Sequence, residues 1–133
     1  MKVTCNGCFD GLHPGHFFLL GYCYSLTQNG QLVVGINSDN YIKGHKRESP
    51  YFNENERQHT LNDLQVVSHV EIFNEENACD FILRVMPDIH CIGEEYKGNC
   101  PEETLCKKLG IAISYIPRVG RWSTSKIGKF VQV

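Results

Sequence analysis

Two histidines separated by a proline and a glycine, His13-Pro14-Gly15-His16, follow a strand-like apolar run and precede a helix-like run. A strand, a tight turn and a helix N-terminus together make an anion site, because unpaired backbone N–H groups and the helix dipole face the ligand. Imidazoles at i and i+3 lie on the same side of the first helical turn, so both can donate to one polyphosphate. Gly15 removes a side chain where a phosphate or sugar must approach the backbone. The arrangement predicts an enzyme that binds a nucleotide. Lys43, Lys46 and Arg47 form a basic cluster within a polar stretch. Such clusters usually lie on solvated surface, yet loops at a ligand edge often carry function. Cys5-Asn6-Gly7-Cys8 has the C-x-x-C spacing of a zinc or redox pair. The second pair that a zinc ribbon needs is missing, and the helix starts about a full motif later, so the metal or redox reading is the weaker one.

These residues need a frame. The chain has 133 residues, enough for one domain and one core. A net charge of −2 gives no general attraction to nucleic acid or an anionic membrane, so any anion site must be local. No apolar run is long enough to span a bilayer. The chain opens directly on strand-like residues with no leader pattern, which predicts a cytoplasmic protein. The seven cysteines are odd in number and irregular in spacing, and most sit in apolar runs. They are expected to be reduced, buried thiols. Apolar runs at residues 2–6, 31–37, 70–73, 89–93 and 112–116 read as strands. Within 31–37, Leu32, Val33, Val34, Gly35 and Ile36 run without a polar residue, as in a parallel strand covered on both faces. Helical patterns fall at 16–27, with Phe17, Leu20, Tyr24 and Leu26 toward one side, and at 53–64, opened by a capping box at Asn53 and Glu56. Further helices are expected at 78–86, stopped by Pro87, at 101–109, ended by Gly110, and after Ser123. Residues 39–52 read as a mobile polar stretch. The alternation predicts an α/β fold: a Rossmann-like, doubly wound, five-stranded parallel sheet in a single three-layer domain over residues 1–133. Ligands of such sheets bind beyond the carboxyl ends of the strands.

Gly7-Cys8-Phe9-Asp10-Gly11-Leu12-His13-Pro14-Gly15-His16 resembles the first signature of the cytidylyltransferase-like nucleotidyltransferases. Arg118-Val119-Gly120-Arg121-Trp122-Ser123-Thr124-Ser125-Lys126-Ile127 resembles their second. Asn37-Ser38-Asp39, Glu56-Arg57, Pro87-Asp88-Ile89 and Gly93-Glu94-Glu95-Tyr96 fall between them in family order. The resemblance implies attack by an acceptor phosphate on the α-phosphorus of a nucleoside triphosphate, with loss of pyrophosphate. It implies that His13 and His16 contact the phosphates, and that Ser123 and Thr124 add donors at a second helix start. Lys46, or Lys43 or Arg47, would bridge the triphosphate to the incoming phosphate. Cys8, Phe9, Gly15, Gly93, Arg118 and Ser125 would line the nucleotide, and Lys43, Arg57 and Glu94 the acceptor. Mg²⁺ would ride on the triphosphate oxygens rather than in a protein cage. A homodimer is implied, with no nucleic-acid or membrane partner.

Plainer readings stand beside these. Ser123-Thr124-Ser125 can be an N-cap alone. Arg57 can be a solvated or ion-paired helix residue. Asp10 fits a structural role, bonding the backbone of its turn, better than direct catalysis. Glu94 and Glu95 can touch base, ribose or acceptor, or simply face water. Arg121 and Trp122 are bulkier than the second signature usually carries. The middle of the chain is most similar to heptose-1-phosphate adenylyltransferase domains, which favours ATP and a phosphorylated sugar or polyol. The Pro117-Arg118 start of the second signature is closer to glycerol-3-phosphate cytidylyltransferase, which uses CTP. A non-catalytic nucleotide-binding protein or a Cys5/Cys8 metal module are the rivals from other classes.

Overall fold

The computed structural model describes residues 1–46 and 48–118. In chain order the elements are β1 (Lys2–Gly7), α1 (Pro14–Ser25), β2 (Gln31–Asn37), α2 (Asp39–Lys46), α3 (Glu54–Asn62), β3 (His69–Phe73), α4 (Cys79–Val85), β4 (Ile89–Gly93), a 3-10 turn (Glu94–Tyr96), α5 (Pro101–Leu109) and β5 (Ala112–Ile116). The five strands pair in parallel in the order β3-β2-β1-β4-β5. The order reverses beside β1, so the crevice that such sheets use for ligands opens between the exits of β1 and β4. The predicted doubly wound α/β fold is the observed one.

Alternation along the strands assigns each residue to a face. Val3, Cys5, Leu32, Val34 and Cys91 pack with Leu20 and Cys23 of α1 and Leu61 of α3. Val33 and Phe73 pack on the opposite side with Phe81 and Ile82 of α4 and Cys106 of α5. The apolar run Leu32–Ile36 of β2 follows from cover on both faces. Gly35 on β2 is required by the second of these layers: a Cβ there would lie 2.9 Å from the Phe81 ring. On the same face Thr4 Oγ1 and His90 Nδ1, from adjacent strands, are 2.7 Å apart.

Four expectations need correction. The polar stretch after β2 is not irregular: residues 39–46 form α2. Ser38 Oγ accepts from Tyr41 N, Asp39 sits at the positive pole, Lys43, His45 and Lys46 sit at the negative pole, and Ile42 is buried beneath. Helix α1 starts at Pro14, with His13 as its cap. Its buried stripe is Leu20 and Cys23, whereas Phe17 is 51% exposed. Helix α3 ends at Asn62, two residues early, and α4 ends at Val85, where Met86 turns left-handed at φ 50° ahead of Pro87. Ser123 and its expected helix lie outside the described residues. The seven cysteines are unpaired thiols, with Cys5, Cys23, Cys91 and Cys106 buried. No helix among the described residues is long and apolar enough to cross a membrane.

Candidate active site

The backbone N–H of Gly15 donates to His13 Nδ1 (3.1 Å), and the N–H of His13 donates to His16 Nδ1 (3.2 Å). This is a capping box built from imidazoles instead of the usual hydroxyl and carboxylate. The rings stack with centroids 3.8 Å apart. Each Nδ1 accepts a hydrogen bond, so each neutral ring carries its proton on Nε2. Protonation at Nδ1 would set donor against donor. Burial lowers the pKa of His13, and burial together with the nearby His13 charge pushes His16 down to about 4. The pair therefore stands neutral at pH 7, offering two N–H groups without a cationic ring. Helix α1 has no acidic residue in its first turn, whereas α2, α3, α4 and α5 each do. Its positive pole is left for an external anion.

Phe9 backs this turn. It is nearly buried, adopts φ 50°, and places its ring 5.2 Å from that of His16. A cavity of about 170 Å³ adjoins Phe9, Gly11, Leu12 and Phe52, with Arg57, Thr60 and Leu61 of α3 on its wall. Cys8 donates its thiol to Asn37 Oδ1 (3.5 Å), while Cys5 faces Cys23 in the core. The two ends of the C-x-x-C thus lie in different environments. Among the described residues no three His, Cys, Asp or Glu side chains are grouped to hold a metal ion.

Lys43 and Lys46 project from the last turn of α2 and are exposed, at the exit of β2; Arg47 lies outside the described residues. Arg57, offered above as an acceptor contact or an ion-paired helix residue, borders the cavity, is 2% exposed and is ion-paired to Asp39. It donates to Phe52 O (3.0 Å), Cys8 O (2.9 Å), Asn37 O (2.8 Å) and Asp39 Oδ1 (2.8 Å). Asp10 does act through its carboxylate on backbone N–H groups, those of Tyr51 (2.8 Å) and Phe52 (2.9 Å), and so reaches across to a distant segment. At the exit of β4, Glu94 accepts from the backbone N–H of Arg118 (3.0 Å), so its carboxylate holds the exit of β5. The Glu95 carboxylate lies over Gly93, where a Cβ would come within 2.9 Å of it. Ser123, Thr124 and Ser125 lie outside the described residues.

Sequence reasoning passed over Tyr41. Burial first, then the neighbouring acidic groups of Cys8, Glu76, Glu102 and Tyr96, raise the pKa of its phenol. Its ring stacks on His45, centroids 4.0 Å apart. An aromatic four residues before a histidine in a polar stretch was the available signal, and it points to a helix as well.

Residues 4–127 match the sequence profile described as Cytidylyltransferase-like. The chain is 29% identical to the FAD synthase of Korarchaeum cryptofilum over 130 residues, 95% of this chain and 88% of that protein. It is 39% identical to the Bifunctional protein HldE of Campylobacter concisus over 98 residues, 73% of this chain. The chain spans only about a fifth of the length of that HldE protein (20%). Among solved structures, the lipopolysaccharide core biosynthesis protein of Thermoplasma volcanium superposes with a TM-score of 0.70 at 29% identity, over 92% of this chain and 98% of that one.

Proposed function

The chain belongs to the cytidylyltransferase-like family of nucleotidyltransferases, and from that premise we propose that it moves a nucleoside monophosphate from a triphosphate, ATP in preference, to a phosphorylated sugar or polyol such as heptose 1-phosphate. An acceptor phosphate oxygen attacks the α-phosphorus. The bond from that phosphorus to the bridging oxygen breaks, and pyrophosphate leaves with the electron pair. The acceptor is already ionised near neutral pH, so the reaction needs no general base. Positioning and relief of charge on the leaving group then carry the rate.

The observation that carries this reading is the neutral pair His13 and His16. With both Nδ1 atoms engaged by backbone N–H groups, both Nε2–H groups remain for phosphate oxygens, at a helix pole without a carboxylate. Oriented neutral donors stabilise charge that develops in the transition state. Lys43 or Lys46 supplies the cation that bridges the triphosphate and the acceptor. In this reading Ser123, Thr124 and Ser125, with Arg118, Gly93, Cys8, Phe9 and Gly15, contact the nucleotide, and Glu94 contacts the acceptor. Mg²⁺ fits this donor set as a passenger on the nucleotide, because the histidines present N–H groups and not lone pairs. Bound there, it would neutralise charge on the departing pyrophosphate. A cytoplasmic homodimer goes with this reading.

A flavin mononucleotide is a second acceptor class. The observation favouring it is that the FAD synthase relative is matched over nearly its whole length. The test is pyrophosphate release with ATP, CTP, GTP and UTP against heptose 1-phosphate, glycerol 3-phosphate and flavin mononucleotide. ATP with the sugar phosphate should stand out. ATP with the flavin would move the acceptor, CTP with glycerol 3-phosphate would move both substrates, and silence across the panel would refute the reaction.

A further inference from the structure

We infer that Arg57 is a positioning residue that holds the cationic helix α2 in register with the histidine turn; this rests on the reaction proposed above. The side chain is buried, yet its four hydrogen bonds end on three separate pieces of backbone and one carboxylate. Cys8 follows β1, and Asn37 ends β2. The two strands are paired side by side, with Gly7 opposite Ile36. Carbonyls at the carboxyl ends of strands run out of ladder partners just where the loops diverge. A planar guanidinium can serve several such oxygens at fixed angles, which a lysine ammonium cannot do with equal geometry.

The fourth contact, Asp39 Oδ1, is on the first residue of α2, and Phe52 lies on the segment that leaves it. Phe52 is held at both poles. Its N–H donates to Asp10 (2.9 Å), and its C=O accepts from Arg57 (3.0 Å). The start of α2 and the chain that follows it are therefore tied to the β1 exit through one buried cation. Lys43 and Lys46 lie between those ties. Their distance from His13 and His16 is set by a group that is itself enclosed. Displacements of about 1 Å at reacting groups cost large factors in rate.

The test compares wild type, Arg57→Lys, Lys43→Ala/Lys46→Ala and the triple variant, by pyrophosphate release, by binding of inorganic tripolyphosphate and by backbone hydrogen exchange. Arg57→Lys should lower kcat by about 10- to 100-fold while tripolyphosphate affinity stays within about threefold. In the background lacking both lysines, the same change should cost less than about twofold, because Arg57 acts through them. Exchange should quicken in residues 39–46 and 51–53 and stay unchanged in β5. Losses that multiply, or unaltered exchange in 39–46, overturn the inference. Should Arg57→Lys not fold, Asp39→Asn keeps the three carbonyl bonds and removes the ion pair. It should show the same pattern at smaller amplitude, and unchanged kcat and exchange in it would again overturn the inference. A wild type that releases no pyrophosphate sinks the reaction while the exchange arm still decides the clamp.

Discussion

His13 and His16 cap the same helix end for each other: the backbone N–H of His13 reaches Nδ1 of His16 at 3.2 Å, and their rings stack at 3.8 Å. Structure and chemistry share these two residues, because capping occupies one nitrogen of each ring and fixes the proton on the other. In ¹⁵N spectra at pH 7 both rings should be the neutral Nε2–H tautomer. On acidification His16 should titrate near 4 rather than 6.5. A midpoint near 6.5, or Nδ1–H in either ring, contradicts the arrangement.

Asparagine separates the two duties of His13. Its short amide is a good N-cap, so His13→Asn should keep stability within about 0.5 kcal/mol of wild type. Without the Nε2 donor, turnover should fall by about 100-fold or more, as when one oriented transition-state donor is lost. His16→Ala should show at least as large a loss of turnover. Pyrophosphate release together with urea unfolding measures both quantities, and near-normal turnover in either variant would count against the assigned roles.

Gly35→Ala tests the α4 layer apart from the site. The added methyl meets the Phe81 ring, which is fully buried and stacked on Phe73 with centroids 5.8 Å apart. Overpacking of this kind should cost about 1–3 kcal/mol in urea unfolding. Unchanged stability would mean that Phe81 has room to move.

His90 should make stability depend on acid. Its Nδ1 meets Thr4, but among the described residues its buried Nε2 has no partner. Burial pushes its pKa down to about 4 from 6.5. Between those values the unfolded chain binds the proton and the folded chain does not, so stability increases with pH across that window. Falling pH should remove up to roughly 3 kcal/mol from this group, levelling off below about pH 4. His90→Gln should show a shallower slope than wild type between pH 6.5 and 4; an unchanged slope would acquit His90.

Much of this was legible from the sequence, and what was not has a common cause. The boundaries of β2, α5 and β5 follow from apolar runs and from Pro101 and Gly110, all local signals. Helix α2 escaped because it has a single buried residue, Ile42, and so no apolar stripe. Its start is held by partners distant in sequence, through Ser38 to Asn74 and Asp39 to Glu54. The partners of Arg57 were hidden for the same reason. A charge in a polar helix reads as surface, and only the folded sheet edge supplies the carbonyls of Cys8 and Asn37, 49 and 20 residues away. The histidine cap was hidden differently, since imidazole is not among the preferred N-cap side chains.

The thiols of Cys5, Cys23 and Cys91 meet in the core from β1, α1 and β4, all three buried, and mutual bonding with burial raises the pKa of Cys23 and Cys91. Sealed in this way they are poor targets for oxidants while the chain stays folded. Once it opens, the same sulfurs become free to cross-link with one another or with Cys8, Cys79 and Cys100 in pairings that the native packing never permits. Recovery from denaturation is therefore tied to the redox state of the solvent, and a reductant should decide how much protein returns.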